Sequence, residues 1–318
     1  MGNKPQINDL IFKELIKRGY SLDGKTRVWD LGDSKLWYLK PEQAQGYLDL
    51  IETDAYKKKF INKEENLISK KMQEIVDMVN NEPINLVDLG CGDGTRAIRF
   101  IKELSKKIKL RYCPVDISAY MVNKAVKNIN VVEGVKEVVE FHWNISDFDN
   151  TENILNILRN GEYKKNFILF LGGTLGNTEF HDLMYQIHIG MKPGDIILIG
   201  NFLWTKEHED ELIKSGVQKE HSDWLVKVPL QLGLKEEDMS VNRRIKNHRS
   251  EIYFTLNKDH LIEFGGKEVR FFRGDQIIVL VGYLYSKEIF KGFLNLYFDY
   301  IQMEVSPDET YALALCKK

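Results

Sequence analysis

The chain has 318 residues, of which 43% are hydrophobic, 29% charged and 11% aromatic; this excludes a disordered or fibrous chain and allows one elaborated domain or two lobes. Its 45 basic and 47 acidic residues give a formal charge of -2. That leaves no surplus positive charge for a phosphate backbone, so a small molecule rather than a nucleic acid is the expected partner. Cys91, Cys113 and Cys316 are widely spaced and form no CxxC pair. Neither a disulfide framework nor a metal site is expected, and a reducing, cytoplasmic setting fits. No apolar run reaches the length of a spanning helix and the start carries no apolar leader, so no membrane association is expected. The opening MGNKPQ has Gln6 where a myristoylation signal needs Ser or Thr.

Residues 1–82 read as a mostly helical N-terminal region. Amphipathic stretches run from Ile11 to Gly19 and from Glu65 to Val79, and between them "SLDGKTRVWDLGDSKLWYLK" reads as a hairpin or irregular loop. Beyond Pro83 the pattern changes. "INLVDLG", "LRYCPVDIS", "VVEFHWNISDF", "NFILFLGGTLGN" and "DIILIGNFL" read as strands, separated by the helical "TRAIRFIKELSKK", "AYMVNKAVKNI", "ENILNILRN" and "FHDLMYQIHIGM". Strand and helix alternate about every 20 to 25 residues, the pattern of βαβ units in a parallel sheet. Residues 83–205 are therefore expected to be a doubly wound, Rossmann-like α/β core. Lys206 to Asn247 reads as a polar helical insertion with no strand of its own. From Arg249 to Lys318 alternating runs predict an antiparallel β-rich extension, so 206–318 is expected to form an acceptor-binding lobe.

"LVDLGCGDGTR" runs a strand into Gly90, Gly92 and Gly94, which let the backbone turn tightly and approach a ligand closely before a helix begins at about Thr95. No GK[ST] follows, which excludes a nucleotide triphosphate loop. The spacing is also not the G-x-G-x-x-G of a dinucleotide site, and Asp88 before the loop repels a pyrophosphate while attracting an ammonium or sulfonium. S-adenosylmethionine is favoured over NAD; a turn that holds no ligand has the same spacing. Asp116, ending "YCPVDIS", stands where an acidic residue takes the ribose hydroxyls, and capping a helix with Ser118 is its structural alternative. Asp147 in "NISDF" is placed to accept the adenine amino group, with Phe148 covering the base. The small residues of "GGTLGN", Thr174 among them, leave space for the methionine end. Cys91, His142 and His181 lack partners at catalytic or metal-ligand spacing, and Lys57 to Lys59 reads as a solvated helix face.

These motifs together, with "KPGDIILIGNFL" and more weakly "FRGDQIIVLVGYLYS" and "YALALCKK", resemble the S-adenosylmethionine-dependent histidine-specific N-methyltransferases of the ergothioneine pathway and their relatives, over roughly residues 50 to 318. The resemblance implies a class I methyltransferase core, cofactor contacts from Gly90, Arg96, Asp116, Asp147 and Phe148, and an acceptor amine or carboxylate facing Asn177. It further implies an acceptor-binding tyrosine at Tyr56. The family's tyrosine pair followed by Thr-Arg is replaced here by "AYKKKFINKEE". Its glutamate and serine on a late strand, which recognise histidine, are replaced by Leu280 and Gly282. Leaving an imidazole unpaired in a buried site costs roughly 1 to 3 kcal/mol, so an acceptor more apolar than histidine or of different shape is expected. The expected reaction is methyl transfer to the amine nitrogen of an amino acid or other small molecule, with Tyr56 and Asn177 orienting the acceptor. The alternative is a cofactor-binding member without turnover, serving as a binding or regulatory module.

Overall fold

The computed structural model describes residues 7–79, 82–246 and 248–318; the opening MGNKPQ lies outside them. The first helix, α1 (Asp9–Arg18), starts on Asn8, whose side chain accepts the N–H groups of Leu10 and Ile11 and so satisfies donors with no intrahelical partner. The glycine-containing segment that follows is a hairpin, β1 (Tyr20–Asp23) and β2 (Thr26–Asp30), turning at Gly24 with φ +62°. Next come α2 (Pro41–Glu52), a short turn of helix α3 (Asp54–Tyr56), a π-helical turn over Lys57–Ile61, and α4 (Asn62–Met78).

The alternating segment then runs β3 (Ile84–Leu89), α5 (Thr95–Leu104), β4 (Leu110–Val115), α6 (Ala119–Ile129), β5 (Val135–Val138), α7 (Thr151–Ile157), β6 (Lys165–Phe170), α8 (Phe180–Gly190) and β7 (Ile196–Phe202). After it stand α9 (Lys206–Ser215), α10 (Lys219–Leu225), α11 (Lys227–Leu230), β8 (Met239–Lys246), β9 (Arg249–Leu256), β10 (His260–Phe264), β11 (Lys267–Phe271) and β12 (Gln276–Tyr283). The chain closes with α12 (Lys287–Leu294), β13 (Tyr300–Val305) and β14 (Tyr311–Lys317).

The segments group into two compact units, one built from the chain up to Leu39 with Lys206–Leu284, the other from Lys40–Thr205 with Tyr285–Lys318. This grouping differs from the segments 1–82, 83–205 and 206–318 expected from sequence. Two pairings explain the difference. β2 lies parallel to β12, so the N-terminal hairpin shares a five-stranded sheet, β1-β2-β12-β9-β8, with the later strands. β14 pairs antiparallel with β7, so the C-terminal hairpin β13–β14 belongs to the main sheet and not to a separate lobe. The polar insertion also carries a strand after all, because β8 pairs along its whole length with β9.

The main sheet has the order β13-β14-β7-β6-β3-β4-β5. β3, β4, β5, β6 and β7 are mutually parallel, and β3 and β4 are buried throughout, as the continuous apolar runs require. One face packs on Leu67, Ile68 and Ile75 of α4, Phe100 and Ile101 of α5, and Val122 and Ile129 of α6. The opposite face packs on Ile154 of α7, Met184 and Ile187 of α8, and Phe290 and Leu294 of α12. Crossovers therefore change face between β3 and β6, and the crevice beyond the carboxyl ends of those two strands is where a ligand of such a sheet sits.

Candidate functional site

The turn after β3 is set by its glycines. Gly90, Gly92 and Gly94 have φ of +70°, +53° and +78°, a region in which only glycine is free of Cβ crowding. The Gly90 and Cys91 N–H groups donate to the Val115 carbonyl at 2.8 and 3.1 Å, fastening the loop to the end of β4. Asp93 accepts the Thr95 N–H at 3.1 Å at the start of α5.

Asp116, 9% exposed, stands beside that loop. Its Oδ2 accepts the Gly92 N–H at 3.1 Å and its Oδ1 the Ser118 N–H at 2.9 Å. Asp116 thus fastens the loop and the start of α6, and each oxygen keeps a further lone pair. Burial pushes its carboxyl up to about 6 in spite of those N–H donors. Across the crevice, a Cβ placed on Gly90 would lie 3.4 Å from Thr174 Oγ1 and 3.6 Å from Phe148 Cζ. The turn after β3, the 3-10 turn after β6 and the chain following β5 therefore converge at one place, where a side chain at position 90 would touch the other two. Phe148 stands edge-on to Phe170 at 5.4 Å, and Asp147, half-buried, precedes it. Asn177 closes the Thr174–Asn177 turn, half-buried and with no side-chain hydrogen bond among the described residues.

Asp88 sits deeper than the loop it precedes. It is 4% exposed, accepts the Tyr112 hydroxyl at 2.8 Å, and burial raises its carboxyl to about 7. Cys91 is buried and its thiol is held well above its ordinary value by desolvation, which removes it as a nucleophile.

Arg96 and Tyr56 meet at a second place, around a residue that sequence reasoning missed. Glu64, on the inner face of α4 and 2% exposed, pairs through Oε1 with Arg96 Nε at 3.1 Å. Its Oε2 accepts the Gly172 N–H at 2.7 Å and the Tyr311 hydroxyl. One carboxylate thus joins α4, the start of α5, the exit of β6 and β14. Tyr56, Phe60, Glu64, Arg96, Gly172, Phe202 and Tyr311 line a small cavity of about 10 Å³, the space of one water molecule. Tyr56 stacks edge-on with Phe60 at 4.7 Å, Phe60 with Phe202 at 4.9 Å, and Phe202 with Tyr311 at 5.1 Å. Burial holds the Tyr56 hydroxyl well above its ordinary value, and it shares a hydrogen bond with Tyr47, so it acts as a neutral donor. The double glycine at the β6 exit follows from this packing. A Cβ at Gly172 would come within 2.6 Å of Arg96 Nη1 and one at Gly173 within 2.2 Å of Phe202. The signal for Glu64 was in the sequence: it precedes Leu67 and Ile68 by three and four residues, on the buried stripe of its helix.

A parallel sheet whose glycine turn opens at the switch point, with an antiparallel hairpin inserted beyond β7, defines a Rossmann-like class I methyltransferase. The family model for histidine-specific, S-adenosylmethionine-dependent methyltransferases matches residues 45–214, more than half of the chain, and the chain belongs to that family. Its cofactor is S-adenosylmethionine. The match ends before β12, the strand that carries Leu280 and Gly282. Among solved structures, the chain is similar to an S-adenosylmethionine-dependent methyltransferase from Clostridium acetobutylicum, at 14% identity over 87% of this chain and 97% of that one, with a TM-score of 0.43. It is also similar to the PH0226 protein from Pyrococcus horikoshii OT3, at 15% identity over 84% and 93%, with a TM-score of 0.41. No curated protein sequence matches. No helix among the described residues is long and apolar enough to cross a membrane, and among them no group of three His, Cys, Asp or Glu side chains is placed to hold a metal ion.

Proposed function

We propose that the protein transfers a methyl group to the amine nitrogen of an amino acid or another small molecule. The observation that carries this reading is the meeting of the β3, β5 and β6 exits at Gly90, Phe148 and Thr174, with the unpartnered Asn177 amide on the same turn. S-adenosylmethionine supplies a methyl activated by its sulfonium. Asp116 takes the ribose hydroxyls with its remaining lone pairs, Asp147 the adenine amino group, and Phe148 covers the base. Gly90, Gly92 and Thr174 leave the backbone close to the ligand. Asp88 acts from beneath, fixing Tyr112 under the loop, and Arg96 holds the β6 exit through Glu64.

Transfer to nitrogen is an in-line displacement and asks the protein mainly for positioning. Asn177 accepts an amine N–H through Oδ1 and so turns the nitrogen lone pair away from itself, while the Tyr56 hydroxyl, turning from Tyr47, donates to a carboxylate of the acceptor. The proton released from the methylated nitrogen passes to solvent. Two variants separate these roles. Asp116→Ala is expected to weaken S-adenosylmethionine binding tenfold or more in calorimetry, about 1.4 kcal/mol. Asn177→Ala is expected to keep that affinity and lose transfer. Unchanged affinity in the first, or equal loss of affinity and transfer in the second, contradicts the assignment. Cofactor binding with no transfer to any amine leaves the non-catalytic binding module as the reading.

A further inference from the structure

Arg96, in the first turn of α5, has one edge of its guanidinium engaged and another open. Nε pairs at 3.1 Å with Oε1 of Glu64, whose side chain is 2% exposed against 24% for Arg96. Among the described residues Nη1 and Nη2 make no hydrogen bond, and neither is enclosed. The guanidinium lies over the Gly172 backbone, where a Cβ would stand 2.6 Å from Nη1 and 3.3 Å from Nη2. Glu64 thus fixes the group through Nε and leaves the fork of Nη1 and Nη2 for a further partner.

Arg96 borders the cavity walled by Tyr56, Phe60, Phe202 and Tyr311, and all of these residues belong to one compact unit. Tyr56, Phe60 and Glu64 reach it from one stretch of chain at steps of four residues. Such steps run ahead of the 3.6-residue turn of an α-helix, and the wider π-helical turn over Lys57–Ile61 takes that lead back. The cavity holds about 10 Å³, room for one oxygen of the size of a water molecule. Gly90, Asp116, Phe148 and Thr174, at the cofactor's place, do not line it. The Glu64 oxygens are already taken by Arg96, the Gly172 N–H and the Tyr311 hydroxyl. What the Arg96 fork and the Tyr56 hydroxyl offer to a ligand is therefore a set of donors, and its complement is an acceptor-only group.

We propose that Arg96, with the Tyr56 hydroxyl, binds a carboxylate of the acceptor, so that the acceptors are amino acids with a free acid group and not simple amines or carboxyl-capped peptides. The planar fork of Nη1 and Nη2 matches the two oxygens of a carboxylate with parallel N–H donors, and one of those oxygens fits the cavity. The Tyr56 hydroxyl, turning from Tyr47, adds a third donor. Glu64 already balances the Arg96 charge, so the selectivity comes from matching donors to oxygens. A carboxamide in the same place would set its NH2 against the fork, donor to donor, and leave both unpaired. This rests on the reading of the protein as a small-molecule N-methyltransferase and names the acceptor class of that reaction.

The test is calorimetric titration of the full chain, loaded with S-adenosylhomocysteine, with L-leucine, L-phenylalanine and L-tryptophan against their carboxamides. At least one free acid is expected to bind tenfold or more tightly than its amide. Arg96→Gln should bring that ratio below threefold, and Arg96→Lys, which keeps the charge without the fork, should keep part of it. Where an Arg96 variant fails to fold, Tyr56→Phe, which removes only a hydroxyl, should lower the ratio threefold or more. A second arm titrates the empty chain with S-adenosylhomocysteine and with its decarboxylated analogue, and Arg96→Gln should leave the ratio of those two affinities unchanged. Equal binding of acid and amide, no binding of any free acid, or a preference that survives in Arg96→Gln or in Tyr56→Phe overturns the proposal. So does a loss of the cofactor ratio in Arg96→Gln, which would assign the fork to the methionine carboxylate. An Arg96-dependent acid preference with no methylation of any amine leaves this inference standing while the proposed reaction falls, and methylation of amines without the preference does the reverse.

Discussion

Replacing Asp88 by Asn should change how the stability of the cofactor-free chain depends on pH. Asp88 is 4% exposed, and burial raises its carboxyl from the ordinary 3.8 to about 7. A carboxyl raised on folding contributes stability that is fully present below about 4 and is lost as the pH climbs through about 7. At about 1.4 kcal/mol for each tenfold change in proton affinity, the full loss is about 4 kcal/mol, of which about 3 falls between pH 5 and pH 8. Asn keeps an oxygen to accept the Tyr112 hydroxyl, now 2.8 Å from the carboxylate, but carries no charge. Urea unfolding of the native chain and of Asp88→Asn at the two pH values measures the effect. The variant should gain on the native chain by about 3 kcal/mol between pH 5 and pH 8. Asp116, raised to about 6 by burial, adds a smaller fall in the same direction to both proteins. A separation that stays constant with pH would refute the reasoning and place Asp88 in a solvated setting.

Glu64→Gln should cost about 3 kcal/mol in the same unfolding assay, because Arg96 loses its counter-charge at a carboxylate only 2% exposed; a change under about 0.5 kcal/mol, typical of a surface substitution, would show the pair to be solvated. Gly173→Ala should cost about 2 to 4 kcal/mol, since φ is +72° and the new Cβ would lie 2.2 Å from the Phe202 ring. Normal stability and turnover in that variant would mean that the aromatic wall repacks freely.

The parallel core was legible because buried strands such as β3 and β4 read as unbroken apolar runs, and because three glycines must mark a turn with three positive φ angles. What lay across strands was not legible. β14 reads as a strand by itself, but its pairing with β7 is a contact between residues more than a hundred positions apart, and no periodicity records it. The same holds for β2 beside β12, which moved the N-terminal hairpin into the other unit. At the site, Asp116 and Phe148 could be placed from strand exits. The burial of Glu64 could be read from its helix stripe but its role could not, because its partners Arg96, Gly172 and Tyr311 come from three other elements. Asp88 reads as a charged group in sequence, and only its burial against Tyr112 shows it to be near its titration point at neutral pH.

The central claim is that this methyltransferase acts on the nitrogen of a small amine. Purified chain incubated with methyl-labelled S-adenosylmethionine and a panel of amino acids and amines, with products located by mass spectrometry, tests it most directly. The account predicts label on an amine nitrogen of at least one acceptor. Label found only on oxygen, carbon or a protein side chain, or a chain that does not bind S-adenosylmethionine, would contradict it.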